Sequence, residues 1–474
     1  MKFRFTWIIF LLIAFVPFEV LFLKYLPVSD AIYGYLRFAV EIIIYLLGGL
    51  LLIRFIQLKK IPAGTSIDKL LLLFVVYAIV ITVVNNAPFF QSFMGLRTLL
   101  RYIPLFYVLA IIQQDQRTVR QIFKLMIGVT TIQVGVTIYQ HYFGLSPFWY
   151  PRASDLEIGG KQVSYRVLAT GFGSGREMGA GIGTFGDSVF LALFLVIVFV
   201  ILGAALQKRV GLPKNQRILC FVLLVLVTIS IFFTYSRGSV FVSLAAIPLL
   251  FYFSGARKKL VLYGSIALLL ISPIIFTGVF SSSGGNSTTA YINPKLKYTD
   301  PLSNITAVFS SSYMDNTMQF SRGLVLTEIG GNLISSFKIL GYSPAQEFAL
   351  EKAATKLFGS NTPINNLPII NDVYWVAFII YYGIAGLVLF YLILYKIFTA
   401  SLFVFRQSPD PYFRLFALAM AVLVIVAIPY SLILRTFVFR SFGFYFWMIA
   451  GLVFSEWRRL KQEQRIIAAN HLSN

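Results

Sequence analysis

Charged side chains are scarce in this chain of 474 residues: Asp, Glu, Lys and Arg together make up 12% of it. A soluble protein carries about 25%, so that scarcity excludes an ordinary water-soluble globule. Cysteine is scarcer still. Cys220 stands alone in an apolar run, which excludes an intrachain disulfide and a thiolate metal site. The two histidines, His141 and His471, lie far apart and make no metal spacing, which argues against a metal site and against a His-based catalytic centre. Apolar residues fill the space that charge leaves, at 58% of the chain with a mean hydropathy of +0.80. A bilayer requires that excess, and water does not tolerate it.

The charge that is present is mostly positive, for a net +22. No basic stripe with a nucleic-acid reader motif accompanies it, so nucleic acid is not expected as a partner. Most Lys and Arg fall in short segments between apolar runs, where they act as topology determinants. The N-terminal MKFR and the apolar run behind it resemble a secretory signal. That run is long, however, and continues into KYLPVSD with no small-residue cleavage site, so it reads as a retained first helix.

Apolar runs recur at 5–23, 38–56, 70–84, 99–112, 122–142, 188–206, 218–235, 240–253, 260–280, 373–397, 415–432 and 437–454. The expected fold is an all-α polytopic membrane protein of about twelve transmembrane helices. Placing Lys2 and Arg4 in the cytoplasm sends the other basic clusters there too. These are Lys59/Lys60, Arg117/Arg120, Lys208/Arg209/Lys214/Arg217, Arg257/Lys258/Lys259, Arg406/Arg414 and the tail Arg458/Arg459/Lys461/Arg465. Both termini are then cytoplasmic. Residues 1–280 hold the first nine helices, 371–457 the last three, and 458–474 a basic tail. Two long segments fall outside, 143–186 and 281–370. The second opens with SSSGGNSTTA and continues into helix-like runs at 321–340 and 347–358, expected to form a small, partly helical cap.

Isolated arginines on that outer side need a reason, because topology signals do not place them there. They are Arg97, Arg101, Arg152, Arg166, Arg176, Arg237, Arg322, Arg435 and Arg440. A guanidinium binds phosphate oxygens as a bidentate fork and stays charged when half buried. Single arginines also snorkel to headgroups or pair with Glu177, Asp187 or Glu328. As a group they favour a phosphate or diphosphate site. In FTYSRGSVFVSL one apolar helix ends and another begins at once, leaving Ser236 and Arg237 beside free backbone N–H groups; this is an anion cradle or a polar hairpin. Glu41 lies within the second run, where pairing with Arg37 is the simplest account. The glycines of GFGSGREMGAGIGTFGDS match no nucleotide-binding fingerprint and are expected to make a flexible or close-packed loop. Asn371-Asp372 stands where the long loop returns to the membrane, as a general base or as a helix cap.

Taken in order, these motifs resemble the O-antigen ligase/polymerase superfamily. They are a helix ending in S-R-G-S followed directly by another, a long outer loop running from Arg322 to Gly341-Tyr342-Ser343-Pro344, and a polar dipeptide before G-I-A-G-L. YRVLATGFGS with GTFGDSVFLALFL is similar to that family's loop before its sixth helix, and the likeness covers residues 160–395. The resemblance implies a GT-C-like fold and a metal-independent, inverting glycosyltransferase without cofactor. Its substrates would be polyprenyl-diphosphate-linked oligosaccharides in the bacterial inner membrane, and its companions a chain-length regulator and a flippase. By position, Arg166 or Arg176, together with Arg237 and Arg322, would hold the diphosphate and substrate, with Arg101, Ser236 and Tyr342 beside them and Asp372 as base. Ligases of the superfamily carry a His-Asn pair where this chain has Asn371-Asp372, and that departure favours a repeat-unit polymerase over a ligase. A transporter or flippase of an anionic lipid-linked substrate is the reading from another class. The 26 tyrosines supply sugar-stacking surfaces or interfacial belts.

Overall fold

The computed structural model describes residues 6–59, 64–144, 180–255, 339–358 and 373–472, with scattered positions between 146 and 162. Among them the chain is almost wholly helical, apart from a two-residue antiparallel pairing of Glu157–Ile158 with Lys161–Gln162. The first helix is α1 (Thr6–Phe15), continued as α2 (Glu19–Lys24) after a tight turn at Val16–Phe18. Pro17 explains the break, because it lacks the N–H that an unbroken helix needs. Then come α3 (Asp30–Leu36), α4 (Ala39–Leu58), α5 (Asp68–Val84), α6 (Phe89–Leu100), α7 (Ile103–Ile111) and α8 (Gln116–Phe143). Beyond residue 180 follow α9 (Ser188–Ala205), α10 (Lys214–Phe233), α11 (Arg237–Phe253), α12 (Gln346–Phe358), α13 (Tyr374–Gln407), α14 (Pro411–Tyr430) and α15 (Arg440–Leu472).

Side-chain caps fix several of these starts. Asp115 accepts from the Thr118 N–H at 2.8 Å, Asp187 from Val189 at 2.7 Å, and Asp410 from Tyr412 at 2.8 Å. Seven helical stretches are long and apolar enough to cross a membrane, and the pair α6–α7, bent by 46°, raises that to eight. The chain is therefore a multi-pass, all-α membrane protein. Length and composition do not reach the expected twelve within the described residues. Helices α5 and α11 have 17 residues each, or about 26 Å, a little short of a hydrocarbon core of about 30 Å. Helix α15 is long enough, but its second half is polar. The expected span at 260–280, most of the long loop and the run 321–338 lie outside the described residues.

Burial sorts the helices into a centre and a rim. Helix α9, most of α14 and the first half of α15 are buried on all sides, whereas α4 and α10 expose Leu46, Leu50, Ile53, Ile56, Phe221 and Val225. A helix apolar all round belongs inside a bundle, and an apolar outer face belongs against lipid. Helix α9 packs on α10, α11, α14 and α15; α13 on α14, α15 and α5; and α7 on α15 and α4.

The bundle has two chemically different ends. At one, Arg414 donates to the Arg209 carbonyl at 2.9 Å, Ser408 bonds Glu456 at 2.7 Å, and Arg458 donates to the Ala110 carbonyl at 3.0 Å. The basic stretches around residues 208–217, 406–414 and 458–465 thus gather on one side, as the alternation of charge requires. At the other end, Trp375 Nε1 donates to the Ile428 carbonyl at 2.7 Å, and the His141 ring stacks on Phe233. Of the isolated arginines within the described residues, Arg97, Arg101, Arg237, Arg435 and Arg440 lie there.

Helix α13 is broken near this second end, where Gly383 adopts φ 67°, ψ −179°. The break frees backbone groups inside the bundle, and a returning segment satisfies them. Tyr342 N–H donates to the Ile380 carbonyl at 2.8 Å, Ala385 N–H to the Ile339 carbonyl at 3.2 Å, and Tyr77 OH to the Tyr382 carbonyl at 2.6 Å. Asn85 Nδ2 bonds the Gly341 carbonyl at 3.1 Å, and Ser92 and Ser343 share a hydroxyl bond of 2.7 Å. A Cβ on Gly383 would overlap the Ile339 carbonyl, whereas one on Gly49 of α4 would meet nothing within 4 Å. Gly383→Ala is expected to lower the thermal unfolding midpoint in detergent, by strain of about 1–3 kcal/mol plus the overlap. Gly49→Ala is expected to leave the midpoint unchanged or raise it. Equal midpoints for the two variants would contradict the docking described.

Candidate functional site

Each of five acidic and basic side chains stands where a helix starts or breaks, and the bundle brings all five together. Glu19 opens α2 behind the Pro17 turn, and Glu41 lies in the first turn of α4. Arg97 is in the last turn of α6, Arg101 caps its C-terminus at the bend into α7, and Arg440 opens α15. Carboxylates at helix N-termini and guanidinium groups at a C-terminus both suit the helix dipole. Arg440 sits against its own dipole and depends on the carboxylates.

Glu41 is 1% exposed and is paired by three arginines from different elements. Arg97 Nη2 bonds its Oε2, while Arg101 Nη1 and Arg440 Nη2 lie 3.2 and 3.5 Å from Oε1. Arg440 Nη1 reaches Glu19 at 2.9 Å and also donates to the Arg37 carbonyl. Arg101 Nη2 donates to the Val438 carbonyl, and its buried Nε has no hydrogen-bond partner. Arg97 and Arg440 stack over Phe38, with centroid distances of 4.7 and 5.8 Å. Three arginine charges thus face two carboxylates, and the exposed Arg37 adds a further charge within electrostatic reach of Glu19. Among the described residues the cluster holds more positive charge than its acids neutralise. In a low-dielectric setting such a surplus attracts an anion strongly.

The S-R-G-S turn is a second component of this end of the bundle. Tyr235 adopts φ 55°, a left-handed conformation that turns the chain sharply from α10 into α11. Ser236 Oγ bonds Ser239 Oγ at 2.6 Å, and Ser239 bonds the Tyr430 hydroxyl, so the first turn of α11 is tied to the end of α14. Gly238 allows that approach, since a Cβ there would lie 3.3 Å from the Tyr430 ring. The turn from Ser431 to Phe439 follows α14 and carries the half-buried Arg435, within electrostatic reach of Tyr374 at the start of α13. Val438 of the same turn accepts from Arg101. This turn therefore runs from Tyr430, where the first turn of α11 is tied, to Val438, where Arg101 of the Glu41 cluster donates.

A third component is a non-helical stretch, Ala180 to Gly186, buried beside α8. Its backbone is satisfied by two glutamines. Gln140 Oε1 accepts from Ile182 and Gly183 at 2.9 and 2.8 Å, and its Nε2 donates to the Gly183 carbonyl at 2.9 Å. Gln133 bonds the Thr184 N–H at 3.1 Å and the Thr184 hydroxyl at 2.6 Å, and that hydroxyl donates to the Pro17 carbonyl. Gly181 N–H donates to the Phe233 carbonyl at 2.9 Å, which joins this stretch to the S-R-G-S turn. Asp187 closes the stretch and caps α9; burial pushes its carboxyl above the usual range while the two N–H groups it accepts from pull the other way.

Of the residues singled out from sequence, Arg101, Ser236 and Arg237 are brought to this end of the bundle. Tyr342 is there too, buried and engaged through its backbone in docking the returning segment. Arg166, Arg176, Arg322 and Asp372 lie outside the described residues. The N-cap of α13 falls on Val373. Glu41 reaches Arg97, Arg101 and Arg440, beyond the local pairing expected with Arg37. Arg152, one of the outer arginines standing away from the basic clusters, pairs with Asp30 at 2.9 Å. Gln133, Gln140 and Glu19 were not anticipated. Among the described residues no group of three or more His, Cys, Asp or Glu side chains could hold a metal ion. No protein-family model matches the chain, and no curated protein matches it.

Glu41→Gln keeps the shape of the cluster but removes the charge that three arginines share. Its unfolding midpoint in detergent is expected to fall by the equivalent of about 3–5 kcal/mol, the loss typical of breaking a buried pair. Asp30→Asn breaks a pair whose acid is 69% exposed. That variant is expected to lose about 1 kcal/mol or less. Similar losses in the two variants would remove the special standing of Glu41.

Proposed function

We propose that this chain is a membrane glycosyltransferase that polymerises polyprenyl-diphosphate-linked oligosaccharide repeat units at the outer face of a bacterial inner membrane. What supports the proposal is the gathering of arginines at one end of the bundle with more positive charge than the nearby acids neutralise. A diphosphate at the head of a lipid is an anion suited to that depth and charge. It is also a good leaving group. In an inverting transfer the acceptor hydroxyl attacks the anomeric carbon of the growing chain, the bond to the diphosphate breaks, and charge grows on the departing oxygen. Fixed guanidinium groups stabilise that charge without having to reorganise.

The arginine end is the outer face in this proposal, with both termini cytoplasmic and a GT-C-like arrangement of twelve spans. The bent pair α6–α7, the short α5 and α11, and the apolar half of α15 supply spans beyond the seven. The chain leaves α11 at the basic end and resumes at Ile339 at the arginine end, and the expected span at 260–280 accounts for that change of side. Arg166, Arg176, Arg322 and Asp372 join the site on the strength of the resemblance alone.

One observation favours a second function. Helices broken at Pro17, at the α6–α7 bend and at Gly383 are a hallmark of transporters, which bind substrates at such breaks. The two functions separate in a single assay: the purified protein in liposomes is given a synthetic polyprenyl-diphosphate repeat unit. Longer lipid-linked glycans are the expected product, and movement across the bilayer without new glycosidic bonds would sink the polymerase. Arg237→Ala and Arg322→Ala are expected to slow extension by on the order of 10²–10³-fold, as loss of a transition-state charge partner does. Normal turnover in both variants would end their assignment to the leaving group.

A further inference from the structure

Helix α6 brings Arg97 and Arg101 to Glu41, yet little of its own surface fixes it in place. It has 12 residues, about 18 Å, and ends at the bend into α7. Ser92 and Leu99 are its buried residues, whereas Phe89, Phe90 and Phe93 are exposed. Burial of an apolar face is what usually seats a helix, and α6 has little of it. No side chain caps its start at Pro88.

Polar grips on two sides make up for that. Ser92, Gly95 and Leu99 share one face of α6 by their spacing, and Arg97 and Arg101 stand on the opposite face. The arginine face is held by Glu41. The other face rests on a wedge formed by the five buried residues Gly341 to Ala345. A Cβ on Gly95 would overlap the Pro344 carbonyl, so backbone lies directly against backbone. Ser92 gives its one hydroxyl proton to the Pro88 carbonyl at 2.9 Å, so Ser343 is the donor in the 2.7 Å bond between the two serines. Ser343 in turn accepts from the Ala345 N–H at 3.0 Å.

The wedge is itself anchored. Asn85, which ends α5, donates to the Gly341 carbonyl at 3.1 Å, and its own carbonyl accepts from Lys352 of α12 at 2.9 Å. The Tyr342 N–H is held by Ile380 beside the break in α13, and a Cβ on Gly341 would overlap the Tyr381 carbonyl. Helices α5, α12 and α13 thus fix the wedge, and α6 is pressed between the wedge and Glu41.

We infer that this wedge positions Arg97 and Arg101 for the diphosphate, with Ser92, Gly95 and Ser343 as positioning residues. The inference rests on the diphosphate-binding role given above to the arginine cluster. Guanidinium bonds to phosphate oxygens span about 2.7–2.9 Å, so a shift of α6 by about 1 Å takes them out of range. Both arginines stand on one helix, and a displaced wedge moves them together.

The test is titration calorimetry of the full-length protein in neutral detergent with a short-chain prenyl diphosphate, below the unfolding midpoint of every variant. Gly95→Ala puts a methyl group between the two backbones and is expected to bind at least about tenfold more weakly than the wild type. Ser92→Cys combined with Ser343→Cys is a milder change that can be reversed, since two thiols need more room than two hydroxyls and a disulfide draws α6 and the wedge together. The reduced pair is expected to bind at least about tenfold more weakly than the oxidised pair. The wild type, with only the buried Cys220, is expected to bind alike in both conditions. A Gly95→Ala protein that unfolds at a lower temperature but binds with wild-type affinity overturns the inference and leaves the polymerase standing. Equal affinity in the two redox states of the cysteine pair does the same. A wild type that binds no prenyl diphosphate overturns both.

Discussion

The buried carboxylate of Glu41 holds together parts of this molecule that are far apart in sequence. An ion taken out of water needs a partner close by, and in a membrane protein the alternative is prohibitive. Glu41 meets three arginines that come from the end of α6, the α6–α7 bend and the start of α15. Arg440 carries the link on to Glu19 at the start of α2. Four separate parts of the chain are therefore fixed relative to one another by one group of charges. The bend between α6 and α7 is what allows Arg97 and Arg101 to face the same acid.

Unpaired backbone inside the bundle is the second constraint, and the same end of the molecule meets it repeatedly. The break at Gly383 is satisfied by Tyr342 and Tyr77, and the buried stretch from Ala180 to Gly186 by Gln133 and Gln140. Non-helical backbone at membrane depth is tolerated only where protein or a cavity satisfies it. Its concentration beside the arginines, together with the left-handed Tyr235, marks this end as the one where regular packing has been given up. The basic end is regular by comparison, with its helices capped by Asp115 and Asp410.

Much of the helical layout was legible because hydropathy and charge act locally. The spans at α4, α9, α10 and α14 agree with the apolar runs to within four residues, α8 starts six residues earlier than its run, and Pro17 marks its own break. Gly383 lies in an unbroken apolar run, and nothing local distinguishes it from Gly386 three residues on. The partners of Glu41 could not be read either, since Arg97, Arg101 and Arg440 are brought to it by tertiary packing. One missed signal was in plain view. Thr130, Gln133, Thr137 and Gln140 recur at helical spacing on one face of α8, all fully buried. A polar stripe on an apolar helix announces a polar partner, and that partner is the glycine-rich stretch. Arg237 and Ser236 were legible from the abrupt junction of two helices, whereas the tie to Tyr430 was not.

The surplus of positive charge around Glu41 is the central physical claim, and anion binding tests it most directly. Titration calorimetry of the purified protein in neutral detergent with a short-chain prenyl diphosphate is the measurement, made at low and high salt for the wild type and for Arg101→Gln. The wild type is expected to bind the diphosphate, more weakly as salt rises, and Arg101→Gln to bind at least about tenfold more weakly, a difference of about 1.4 kcal/mol. No binding by the wild type, or equal binding by the variant, would contradict a charge surplus that serves an anionic substrate.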